Sequence, residues 1–242
     1  MAVKTLGGLA RGLDVLESIA ARAPVSGAEL AELLGLERSA LQRVLTTLSD
    51  AGWIRQDPTT RTWCAGPRAL SFASSVDMTR PLVELAHPHL VALRDTTGET
   101  AFLAAARGDH AVVLDVVEST HLVRIAPRVG NRIDAELSAA MLAIAAFVPS
   151  EERDGLLAAV GRPDRLAGEI AATRRRGYGV NAGAVHAAAT SVAAPVVDAT
   201  GRAVAALVVT MPRERASRAA VRTASTLVVE AAAEVSVRTA GR

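Results

Sequence analysis

The chain has 242 residues, of which 50% are hydrophobic and 21% charged, with a formal net charge of +2; this suits one large or two modest domains with packed cores and excludes a highly charged disordered chain. Cys64 is the only cysteine, so an intramolecular disulfide is excluded and a cysteine-based zinc site is unsupported. No charged-then-apolar leader opens the sequence, and no apolar run reaches membrane-spanning length without a charge or break, so a cytoplasmic protein with no membrane partner is expected.

In chain order, the spacing predicts a first helix over residues 6–21, with Leu9, Leu13, Leu16 and Ile19/Ala20 as its apolar stripe and Pro24 ending it. It is expected to pack across the two helices that follow, with part of it free to face a second subunit. Residues 26–52, SGAELAELLGLERSALQRVLTTLSDAG, read as a helix-turn-helix. Ser26 and Glu29 form an S-x-x-E capping box, Leu30, Leu33 and Leu34 repeat at helical spacing, and Gly35 supplies a stop that tolerates a left-handed backbone. Leu36 plugs the corner, and Leu41, Val44, Leu45 and Leu48 form the apolar face of the second helix.

The polar residues left over carry the chemistry. Arg38, Ser39, Gln42, Arg43 and Thr46 fall on the opposite face. Arg pairs with guanine and Gln with adenine in bidentate fashion, and Ser or Thr bonds base edges or phosphates. The N-terminal half of the second helix is the part that reaches the major groove. Ser26 joins this set at the start of the motif. An ordinary helical hairpin whose polar face meets water is the alternative.

Residues 53–64, WIRQDPTTRTWC, add a hairpin around Asp57-Pro58-Thr59-Thr60, which turns the motif into a winged helix. Arg55 and Arg61 flank its tip, where they serve either as phosphate contacts or as solvated strand residues. Residues 1–76 hold eight basic against seven acidic residues, a balance that argues against strong nonspecific binding but allows a locally basic face.

Gly66-Pro67 breaks the chain, and RALSFASSV resumes a helical pattern over 68–76. The organisation expected is a winged helix-turn-helix domain over 1–66, a linker helix over 67–80 with the boundary near 78–81, and a second domain over 81–242. In the latter, a helix over 81–96 carries His87 and His89 around Pro88, a spacing that gives poor support to metal ligation. Three strand-like runs follow over 100–127, then helices over 134–148, 150–160 and 164–176, the last closed by Arg174, Arg175 and Arg176. Two strands, 190–197 and 203–211, form a hairpin around Asp198-Ala199-Thr200-Gly201, and a helix over 214–238 closes the chain. A five-stranded antiparallel sheet flanked by helices makes this an α+β sensor domain of the GAF-like kind. Neither an enzyme nor a cofactor is expected: Cys64 lies in the wing, His110, His121 and His186 have no evident Ser/Asp arrangement around them, and no Gly-rich phosphate loop is present.

With this order in view the chain resembles the IclR-type family of bacterial transcription regulators. The resemblance rests on RGLDVLESIA, AELAELLGLERSALQRVLTTLSDAGWIRQD and GPRAL in the first domain. In the second it rests on TGETAFLA, VVESTHLVRIAPRVG, IAATRRRGYGVN and SVAAPVVDATGRAVAALVVT. It implies a DNA-binding winged helix, a GAF-like effector-binding domain, and homodimers, often paired into tetramers, on palindromic or repeated operators.

At the effector pocket this sequence departs from the family pattern. Met141 and Leu142 stand where Gly and Lys are usual, Asn181 replaces an acidic residue, Ser191 replaces a frequent Cys, and Val208 and Thr210 take the places of two serines. The acidic run after the Gly-Tyr motif is AGAVHAAAT. Met141, Asn181, Ser191, Val208 and Thr210 are therefore the candidate effector-binding residues, and the pocket is expected to take a more apolar effector than usual, or none. Met141 is open to a second reading as plain core filling. The function implied is a DNA-binding regulator, repressor more than activator, whose affinity a small molecule sets. The alternative is a winged-helix interaction module with a degenerate, ligand-free sensor domain.

Overall fold

The computed structural model describes residues 6–74, 80–107, 110–134, 138–158, 163–183 and 187–240. The chain divides into two compact units, Met1–Met78 and Thr79–Arg242. No helix among the described residues is long and apolar enough to cross a membrane.

In the first unit α1 (Gly7–Arg22) crosses α2 (Gly27–Leu34) and α3 (Arg38–Asp50), and a short wing, β1 (Ile54–Gln56) with β2 (Trp63–Ala65), completes the domain. Val15, Ile19, Leu30, Leu41, Leu45, Ile54 and Trp63 close one apolar cluster, with Leu36, Val44 and Leu48 packed at its margin. The capping box is present in full: the Ser26 hydroxyl accepts from Glu29 N at 3.3 Å while Ser26 N donates to Glu29 Oε2 at 2.8 Å. Gly35 has φ +60°, the conformation its position in the tight turn demands. Backbone bonds between Val25 and Trp63, at 2.7 and 3.2 Å, tie the wing to the α1–α2 connection.

The stripe expected on α1 differs from the one buried. Val15 and Ile19 face the core and Leu16 lies at its edge, whereas Leu9 and Leu13 are 62% and 50% exposed. The first turns of α1 extend past the partners that the domain offers, so the outer leucines meet no core within it. The linker helix α4 (Pro67–Ser74) docks on the wing. Arg68 lies over the Trp53 ring and donates to Ala51 O, and Phe72 meets Trp53 edge-on at 5.4 Å. Residues 75–79 of the expected linker, and most of the boundary, lie outside the described residues.

The second unit is built on a six-stranded antiparallel sheet of order β5-β4-β3-β8-β7-β6. Its strands are β3 (Thr100–Arg107), β4 (His110–Val117), β5 (Arg132–Asp134), β6 (Gly179–Ala182), β7 (Ala189–Val197) and β8 (Ala203–Pro212). One face packs on α5 (Arg80–Thr97) and α9 (Arg218–Ala240) through Leu90, Leu103, Leu207, Val209, Val228 and Val235. The other covers α6 (Ala139–Ala145), which lies against α8 (Pro163–Arg176), with α7 (Ser150–Ala158) beyond. Every residue of α6 is buried, as an all-apolar helix requires.

Four expectations are corrected. The third strand of the meander is β5, not residues 122–130. Pro127 cannot donate to a ladder and Leu122 is 94% exposed, so that run has neither the bonds nor the core a strand needs. The sheet has six strands rather than five, because β6 spans only four residues, too few to show alternation. The helix expected over 134–148 is confined to Ala139–Ala145, capped by Ser138, whose hydroxyl accepts from Met141 N. A 3-10 turn, Arg213–Arg215, precedes α9 and delays its start to Arg218.

Candidate functional site

The DNA-facing candidates sit on one surface of the first unit. Arg38, Ser39, Gln42, Arg43 and Thr46 are all exposed on α3, opposite the buried Leu41 and Leu45. Gln42 Nε2 reaches Thr46 Oγ1 at 3.5 Å, and Thr47 Oγ1 donates to Arg43 O at 2.8 Å. Arg38 and Gln42 border a groove of about 320 Å³ that also takes in Gly27, Ala28, Gln56 and Trp63. Arg43 lies on the other flank of the helix, beside an apolar groove lined by Leu9, Leu13, Leu16, Trp53 and Phe72.

Ser26 is occupied differently. Its hydroxyl donates to Glu29 Oε2 at 2.7 Å and accepts from Glu29 N, so its proton is committed to the cap rather than to an external phosphate. Bonds from the Ser26 backbone and hydroxyl hold the Glu29 carboxyl below the usual carboxylate range.

At the wing, Arg55 and Arg61 are exposed on either side of the turn. Asp57 Oδ1 accepts from Thr59 N and Thr60 N at 2.8 and 2.9 Å, and these backbone bonds hold its carboxyl below the ordinary range. Arg61 is exposed with φ +58°, a left-handed backbone geometry that few residues other than glycine adopt. Gln56, not singled out from sequence, donates to Arg61 O at 2.9 Å and faces the same groove as Arg38. A polar residue ending a wing strand was the available signal.

In the second unit a cavity of about 140 Å³ lies between the sheet, the start of α6 and the segment before β5. Four of the candidate residues, Asn181, Ser191, Val208 and Thr210, line it together. Strand register explains why three of them meet: Asn181 pairs with Ser191, Ser191 with Thr210, and Thr210 with Thr100, one polar row across four strands on one face. Ser191 Oγ donates to Thr210 Oγ1 at 2.9 Å. Thr100 closes the row, its Oγ1 accepting from Ser119 N at 3.1 Å where the chain leaves β4.

Met141 is not brought to this cavity. Its side chain is buried in the cluster of α6 with the sheet, so the reading that it fills the pocket gives way to core filling. The helical turn that exposes Ala139 and Ala140 to the cavity aims the next residue elsewhere. Phe102, Ile125, Pro127, Ile133 and Ser138 line the wall without having been singled out; they come from four separate segments, and no local motif joins them.

The remaining titratable candidates are engaged elsewhere. His87 Nδ1 meets Asp115 Oδ2 at 2.7 Å, and His89 Nδ1 meets Glu234 Oε2 at 3.5 Å. No group of three potential metal ligands occurs among the described residues. His186 lies outside them.

The comparisons with known proteins bear on both units. The family model for the IclR helix-turn-helix domain matches residues 8–58, and that for the bacterial transcriptional regulator IclR C-terminal matches residues 75–237. The transcriptional repressor IclR of Escherichia coli K12 is 31% identical, over 96% of this chain and 90% of that protein. The acetate operon repressor of Salmonella typhimurium shows the same 31% identity and coverage. Among solved structures, IclR of Thermotoga maritima superposes with a TM-score of 0.70 at 24% identity, covering 97% of this chain and 99% of that one. An IclR homologue of Microbacterium hydrocarbonoxydans, complexed with 4-hydroxybenzoate, gives 0.75 at 23%, covering 95% and 98%.

Proposed function

The chain belongs to the IclR family of bacterial transcriptional regulators, and on that premise we propose that it is a cytoplasmic repressor. In this reading it binds a palindromic or repeated operator through α3 and the wing, and releases or grips it according to a small molecule held in the second unit. The observation that carries this reading is the pair of sites, one in each unit. Arg38, Ser39, Gln42, Arg43 and Thr46 form an outward polar face with no core to pack against. The cavity holds a polar row buried behind an apolar wall.

A palindromic or repeated operator engages two copies of a helix-turn-helix, with recognition helices meeting major grooves about 34 Å apart. The exposed Leu9 and Leu13 of α1, bordering the apolar groove with Trp53 and Phe72, support a homodimer built through this unit, with tetramers as pairs of dimers. A ligand that favours one dimer geometry then changes the spacing of the two helices and so the operator affinity.

The effector is read as more apolar than usual for the family. Eight of the twelve described lining residues are apolar: Phe102, Ile125, Pro127, Ile133, Ala139, Ala140, Ala189 and Val208. The 4-hydroxybenzoate complex of the Microbacterium homologue supports an architecture that accommodates a ring.

The test is binding of the purified protein to its own upstream intergenic DNA, against scrambled DNA, across a salt series. Selective binding that weakens with salt is expected. Equal, weak binding to both DNAs, together with a stable protein partner, would replace this reading by an interaction module.

A further inference from the structure

We propose that Phe102 closes the inner end of the cavity and so sets the length of ligand it admits, and that a smaller residue there opens it to a second ring. The inference rests on reading the second unit as the effector-binding part, and it adds the residue that decides ligand size.

Strand register places Phe102 beside the polar row. Thr100 ends that row on β3. Phe102 follows by two residues, on the same face and about 7 Å toward the middle of the strand. It pairs with Val208, Val208 with Ala193, and Ala193 with Gly179. The next row inward therefore grades across four strands from an aromatic ring to no side chain at all.

The helix α6 closes the small end of this row. A Cβ on Gly179 would lie 2.6 Å from Ala139 O, and Ala193 has no exposed surface. At the large end the closure is the Phe102 side chain itself, which is 5% exposed and the only aromatic among the described lining residues. A ligand held by its polar end at Ser191 and Thr210 meets this ring as it grows inward.

Little stands ready to refill the space that the ring occupies. Its neighbours on that face include Ala104, Ala206 and Val116, all too short to reach across it. At Gly179 the helix is in contact with β6 and cannot sink further. Truncation of Phe102 then leaves a void joined to the cavity, because a packed core relaxes only in part after a large-to-small change. The cavity measures about 140 Å³, close to the ~150 Å³ in which an engineered apolar cavity holds benzene, so the added space suits one further ring.

The experiment is calorimetric titration of the full chain, Phe102→Ala and Phe102→Leu with two matched pairs, phenol with 2-naphthol and benzoate with 2-naphthoate. Members of a pair share a head group and differ by one ring, so their ratio reports length alone. In the unchanged chain the one-ring member is expected to bind roughly tenfold or more tightly than its partner. Phe102→Ala is expected to reverse that order, and Phe102→Leu to narrow the gap. A general loss of stability weakens both members alike and leaves the ratio where it was. Circular dichroism checks folding, and where Phe102→Ala does not fold, Phe102→Leu decides. The proposal is overturned if the unchanged chain binds both members equally, or if no probe binds. It is overturned too if the folded variants keep the original ratio, as they would were Met141 or α6 to fill the space. The upstream-DNA assay separates the two readings. Selective operator binding with an unmoved ratio sinks the role of Phe102 and leaves the regulator standing, whereas loss of all sequence-selective DNA binding sinks the regulator reading whatever the titrations give.

Discussion

Arg215 grips Glu99 across 116 residues of sequence. Its Nη2 meets Glu99 Oε2 at 2.7 Å, its Nε meets the other carboxylate oxygen, and its Nη1 donates to Val123 O at 3.0 Å. Glu99 is 7% exposed and Arg215 32%, so the carboxylate depends on this fork for its partner. Val123 belongs to the segment that continues to Ile125 and Pro127 in the cavity wall.

Arg215→Ala should therefore destabilise the second unit by roughly 2–4 kcal/mol. Breaking a buried pair costs about 3–5 kcal/mol, reduced here by the exposure of Arg215. Arg215→Lys should recover only part, since an ammonium cannot form the fork. Urea denaturation measures both; an unchanged midpoint for Arg215→Ala would show that the pair contributes nothing.

Arg43→Ala should weaken specific operator binding by roughly 1–3 kcal/mol if Arg43 reads a base edge. Arg61→Gly, which keeps the backbone geometry at φ +58°, should instead weaken all DNA alike and lower the salt slope by about one. Titrations on cognate and scrambled DNA separate the two effects. Unchanged cognate affinity would remove Arg43 from the contact set.

Gly179→Ala should strain the site from behind. A Cβ there would lie 2.6 Å from Ala139 O and 3.0 Å from the Leu142 Cβ, so β6 and α6 would have to separate. Overpacking of this kind costs about 1–3 kcal/mol. It would also move Asn181, two residues along β6, relative to Ser191. A melting temperature equal to that of the natural sequence would show that α6 shifts without penalty.

Acid should loosen the wing. The folded state holds the Asp57 carboxyl below its ordinary value, first through the amide of Thr60 and then that of Thr59. Its contribution is thus present above the unfolded carboxylate range, near pH ~4, and is lost as pH falls through the lower folded value. Asp57→Asn, without the charge, should be less stable than the natural sequence at neutral pH, and the gap should close in acid. A gap that persists unchanged to pH 2 would assign the effect to geometry rather than to ionisation.

Periodicity and caps made the first unit legible from sequence. Ser26 and Glu29 mark the start of α2, Gly35 its end, and Leu41, Val44, Leu45 and Leu48 the buried face of α3, because these signals act within a few residues of chain. The family pattern likewise located Asn181, Ser191 and Thr210, although their adjacency depends on the register of three strands.

Tertiary structure decided what local pattern could not. Which leucines of α1 are buried depends on where α2 and α3 end, so Leu9 and Leu13 looked like core and lie outside it. Residues 122–130 have strand-like composition, but the edge of β4 is taken by β5 instead. Met141 faces the core rather than the cavity because helix phase, fixed by the Ser138 cap, sets the direction of each side chain. The sequence by itself determined the two-unit plan, the helix-turn-helix and the identity of most polar groups at the second site, since these follow from local propensity and spacing. The cavity's wall, its row of hydroxyls and the Glu99–Arg215 fork required the folded chain, because each joins residues whose separation in sequence carries no record of their distance in space.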